Sequence, residues 1–150
     1  MEETIDEPVQ LSFPLPHSLD TKIHLRLTIK SKVIILFLTT VSADEEDQAV
    51  PMGSFVYALP DKYNPSQPLS TTIYSIEATL EFTTRLAKIL VKKTQMPVYV
   101  GNSISFANTG LGGTVDEEME ALKKVVEVTV DKLQGVIKSP DALPNGTGSS

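Results

Sequence analysis

From Ile23 to Lys30 apolar and polar residues alternate: Ile23, Leu25, Leu27 and Ile29 are separated by His24, Arg26, Thr28 and Lys30. A period of two predicts a strand with one buried face. Ser31 and Lys32 turn the chain into VIILFLTT, which is apolar on both sides. Val33, Ile35 and Phe37 point one way there and Ile34, Leu36 and Leu38 the other, so this strand needs cover on both faces. SFVYALP (54–60) and LSTTIYS (69–75) predict two more strands, separated by the turn-rich DKYNPSQP. The period then changes. Phe82, Leu86, Ile89, Leu90 and Lys93 fall at helical spacing, Ala87 adds to the same face, and Lys92 and Lys93 suit the end of the helix dipole. This helix ends near Thr94, before Pro97, and PVYVGNSISF follows as a strand, extended or bent at Gly101. The last element is a stripe of Val115, Met119, Leu122, Val126, Thr129, Leu133 and Val136. Thr114 and Glu117 form a capping box at its start.

Strands come first and helices late, which predicts an α+β fold. The expected architecture is an antiparallel sheet of five to six strands, with two helices on one face and the opposite face open for sheet-to-sheet dimerisation. Residues 1–20 read as a flexible arm, in which Leu11, Phe13 and Leu15 form a short edge strand. Residues 21–138 read as a single domain and 139–150 as a disordered tail. The acidic run Asp44–Asp47, within 43–50, reads as a solvated hairpin loop.

Charge and composition narrow the function classes. The net charge of −6 argues against broad nucleic-acid binding, which needs a cationic surface. With no cysteine, thiol chemistry and cysteine-based metal sites are excluded. The start MEETIDEPVQ lacks a basic segment followed by an apolar one, and VIILFL is too short to cross a bilayer. No membrane association is expected, and the expected location is the cytoplasm, extending to the nucleus.

The loop NTGLGGTV (108–115) poses the question of a phosphate site. It has neither the third glycine of a dinucleotide fingerprint nor the lysine of a P-loop. Asp116, Glu117 and Glu118 already fill the first helical turn, where a phosphate would meet three carboxylates. The glycines read as a linker into a capped helix. His17 and His24, with Asp20 near either, offer a possible catalytic or metal-binding pair, but no nucleophile of suitable spacing accompanies them. No catalytic residue, cofactor or metal site is assigned. Arg85, Lys88, Lys92 and Lys93 give the first helix a basic flank, read either as a solvated face or as a docking patch for an acidic protein surface.

The sheet carries more apolar surface than two helices can cover. The doubly apolar strand leaves one set of side chains uncovered, and Phe55, Tyr57, Leu59, Tyr74 and Tyr99 are candidates to share that face. Leaving such a face wet forfeits roughly 1.5–3 kcal/mol per large side chain. Soluble monomers seldom expose a contiguous patch of that kind. A second chain packed against the sheet is the expected cover, with the arm or the long helix as the intrachain rival. The residues assigned to partner binding are Ile34, Leu36, Leu38, Phe55 and Tyr57 on the sheet, and Arg85, Lys88 and Lys92 on the helix.

These segments resemble the proteasome assembly chaperone 4 family. The resemblance rests on IILFLTT (34–40), MGSFVYALP (52–60), PLSTTIYS (68–75) and TTRLAKILVKKTQMPVYVGNSI (83–104). The acidic loop, the glycine loop and the long tail look like additions that fit a fungal-type member. The resemblance implies a non-enzymatic, ATP-independent chaperone. It would form a heterodimer with a related small chaperone of the chaperone 3 type. That pair would dock on alpha-type subunits, notably alpha 5, during assembly of the alpha ring of the 20S core particle, and leave before the particle matures. Two rivals stand beside it: a homodimeric scaffold or signalling module using the same open face, and a small nucleotide-binding enzyme using the glycine loop.

Overall fold

The computed structural model describes residues 8–18, 20–42, 53–106 and 113–137. The elements in chain order are β1 (Val9–Pro14), β2 (Thr21–Lys30), β3 (Val33–Ser42), β4 (Ser54–Leu59), β5 (Leu69–Tyr74), α1 (Glu77–Thr94), β6 (Val98–Ser103) and α2 (Val115–Ile137). The six strands form one sheet in the order β1-β2-β3-β6-β4-β5. The fold is α+β, as expected. The segment read as an arm over 1–20 supplies an edge strand, β1, whose Phe13 and the following Leu15 are buried.

Four strand pairs are antiparallel, and β3 with β6 is parallel. The parallel pair follows from α1, which carries the chain back across the sheet after β5 and delivers β6 between β3 and β4. Strands β3 and β4 are therefore not neighbours. The acidic segment between them does not close a hairpin, because β6 occupies the intervening position. Residues 43–52 themselves lie outside the described residues, as do most of the glycine loop (107–112) and the tail (138–150).

The core lies on one side of the sheet. Ile23, Leu25, Leu27 and Ile29 of β2 are buried there together with Phe82, Leu86 and Leu90 of α1 and Leu122, Val125 and Leu133 of α2. On α2, Leu122, Thr129 and Leu133 of the predicted stripe are buried and Val126 is partly buried, while Val115 and Met119 are exposed and Glu117 and Ala121 take the buried positions of the first turns. The capping box forms as read. The Thr114 hydroxyl accepts the Glu117 amide at 3.3 Å, and the Glu117 carboxylate accepts the amides of Gly113 (2.8 Å) and Thr114 (3.3 Å).

The N-cap position of α1 is Ile76, whose apolar side chain supplies no cap. Ser54 at the start of β4 takes over that task. Its hydroxyl accepts the Ile76 amide (2.9 Å), and its own amide donates to the Thr79 hydroxyl (3.1 Å). Thr83 donates to the Thr79 carbonyl, and the buried Asn102 of β6 donates to the Thr83 hydroxyl. These bonds tie α1 to both β4 and β6 through groups that would otherwise be buried unpaired.

Candidate partner-binding face

The face of the sheet turned away from the helices is built by alternation. On β3 it carries Val33, Ile35 and Phe37; on β4, Phe55, Tyr57 and Leu59; on β6, Tyr99, Gly101 and Ser103. Register places Phe37, Gly101 and Phe55 in one cross-strand row, and Ile35, Tyr99 and Tyr57 in the next. The rings associate directly. Phe37 stacks with Phe55 (centroids 6.0 Å apart, planes within 8°), Phe55 with Tyr99 (5.7 Å), and Tyr99 with Tyr57 (4.4 Å).

Gly101 makes this arrangement possible. A Cβ at that position would lie 2.6 Å from the Phe37 ring and 3.4 Å from the Phe55 ring. The two phenyl groups thus lie over the bare backbone of β6, as aromatic side chains do when they shield a strand glycine. Phe37 remains 43% exposed, and Tyr74 of β5, paired with Phe55, extends the apolar surface to the sheet edge. No helix of the described residues covers this side.

Phe55 and Tyr57 lie on the open face as read from the sequence. Ile34, Leu36 and Leu38 do not: all three are buried in the core beneath the helices. The expectation chose the wrong half of β3. The two-residue turn at Ser31-Lys32, with φ of 53° and 63°, pairs Lys30 with Val33. That register places Ile34, Leu36 and Leu38 beside Ile29, Leu27 and Leu25, on the buried side of β2. Opposed residues in an antiparallel pair share a face. The turn length together with the β2 alternation was therefore the signal that identifies Val33, Ile35 and Phe37 as the outward set.

The basic helix residues occupy a different surface. Arg85, Lys88 and Lys92 of α1 line a groove of about 470 Å³ whose other wall is the β4–β5 connection, including Asp61 and Gln67, and Leu69 at the start of β5. Arg85 also holds Glu81 at 3.2 Å. This groove and the aromatic face belong to opposite layers of the molecule.

The two histidines are not brought together. His24 projects from the open face of β2, whereas His17 bonds to Glu120 of α2 at 2.8 Å on the helical side. The sheet separates them. At the glycine loop, the Gly113 and Thr114 amides that would greet a phosphate are already held by Glu117, which is 2% exposed.

Comparison with known proteins places these features. The family model described as Proteasome assembly chaperone 4 matches residues 22–104. Among solved structures, a chain from a novel chaperone complex for yeast 20S proteasome assembly is similar in fold, with a TM-score of 0.58. It is 12% identical, and the likeness covers 86% of this chain and 95% of that one. A search of curated proteins returns no match.

Proposed function

Since the chain belongs to the proteasome assembly chaperone 4 family, we propose that its open sheet face pairs with a related small chaperone of the chaperone 3 type, forming a heterodimer that holds alpha-type subunits, notably alpha 5, during alpha-ring assembly. Its role is proteasome assembly, and in this reading it works by binding alone. One observation carries the pairing: Phe37, Phe55, Tyr57 and Tyr99 form a contiguous aromatic surface that no helix of the described residues covers. Aromatic residues dominate interface energetics because each brings a large, rigid apolar area. The similar yeast chain comes from a chaperone complex, which supports a chaperone as the occupant. Arg85, Lys88 and Lys92 lie on the other layer, where they would meet the proteasome subunit.

The test is co-expression with the related small chaperone of the same organism, followed by light scattering of the purified material. The wild-type chain elutes as a one-to-one complex. Phe37→Ser with Tyr57→Ser leaves the circular dichroism spectrum unchanged and abolishes the complex. A double variant that pairs as well as the wild type would refute the assignment.

A further inference from the structure

The open face has two chemically different halves. Beside the aromatic cluster runs β2, whose outward residues are Lys22, His24, Arg26, Thr28 and Lys30. Residues two apart on a strand share a face, so three permanent cations and a histidine stand in one row. All four are exposed, and none forms an ion pair among the described residues. Their cross-strand neighbours are uncharged: Pro14, Ser12 and Gln10 on β1, and Val41, Thr39 and Phe37 on β3. The described strand residues of this face contain no carboxylate. Where the cation row meets the aromatic cluster there is a groove of about 500 Å³, lined by His24, Arg26, Phe37, Thr39, Gly101 and Ser103 among others.

This row excludes a second copy as a good occupant. If two copies pack face to face, the row meets either its own counterpart or the aromatic half of the other copy. Like charges oppose in the first case, and in the second the cations are desolvated against an aromatic half whose described strand residues hold no carboxylate. Either arrangement disfavours association. Resting on the proposed pairing through this face, we propose that the occupant is a different chain that carries a row of Asp or Glu side chains opposite β2, with at least one carboxylate entering the groove beside Arg26. The aromatic half supplies apolar burial, and the cation row selects the partner and rejects self-association.

The probe is again the related small chaperone of the same organism, mixed with the purified chain in stopped-flow and equilibrium binding measurements. The chain alone scatters light as a monomer at tens of micromolar. Association with the partner slows steeply as salt is raised. Lys22→Glu with Arg26→Glu weakens the complex by at least about tenfold, and replacing acids by lysine on the partner's facing strand restores it. These substitutions are at exposed positions, and circular dichroism checks that the fold is kept.

Salt-insensitive association, with the charge-reversed variant binding normally, overturns the acidic-partner proposal while leaving the pairing through the aromatic face intact. If Phe37→Ser with Tyr57→Ser binds normally as well, the open-face assignment itself is wrong. A stable homodimer of the isolated chain, disrupted by the same aromatic substitutions, also overturns the proposal.

Discussion

His17 adopts a left-handed backbone (φ 64°) in the turn between β1 and β2, and its imidazole reaches Glu120 on α2. The hydrogen bond and charge of Glu120 raise the His17 pKa above its ordinary 6.5, with a smaller contribution in the same direction from Glu117. A raised folded-state pKa gives stability that is fully present below the unfolded value and is lost as pH rises through the folded one. The Tm difference between wild type and Glu120→Gln is therefore expected to be larger at pH 5.5 than at pH 8. An NMR titration should show the His17 midpoint falling in the variant; an unchanged midpoint would show that the contact does not persist in solution. This pairing was not legible in the sequence, where Asp20 is the nearest acid to His17 and Glu120 lies 103 positions away. The outward set on β3 was hidden for another reason. Both halves of that strand are apolar, so composition alone could not choose, and only the register of the β2–β3 turn decides.

At the scale of elements the pattern was far more informative. The period of two in β2, the period of 3.6 in α1 and the Thr114–Glu117 box all reappear in the structure, since each is a local preference that packing reinforces. What could not be read was how one element finishes another. Ser54, a small polar residue at the start of a strand, caps a helix 22 residues further along. Ser54→Ala removes the acceptor for the Ile76 amide in a buried site. The expected loss is about 1–3 kcal/mol, measured by urea denaturation. Thr79 belongs to the same cluster, so the double change Ser54→Ala with Thr79→Ala should cost less than the sum of the single changes. Strict additivity would mean that the two hydroxyls do not act together.

For the whole molecule, the proposed function assigns a separate task to each of two layers. The aromatic face and the Arg85–Lys88–Lys92 groove lie on opposite sides, so damage to one should spare the other. Arg85→Glu with Lys88→Glu is expected to weaken binding to the alpha 5 subunit by roughly tenfold, the scale of a few like-charge contacts. The same variant should keep its chaperone partner in a pull-down. Joint loss of both contacts would place them on a single surface. Excess apolar surface was visible in the sequence because the count of greasy strand positions exceeds what two helices can hide. The position of the helix groove was not, because its second wall comes from a loop whose placement depends on the strand order.

That strand order has a consequence for how the chain is made. β6 is the last of the described strands to leave the ribosome, yet it belongs in the middle of the sheet, between β3 and β4. Until about residue 103 has emerged, the inner edges of β3 and β4 lack the strand that pairs with both of them. Translation thus runs through an interval in which nascent strands can recruit the wrong neighbour, and it closes only when the final strand is threaded home.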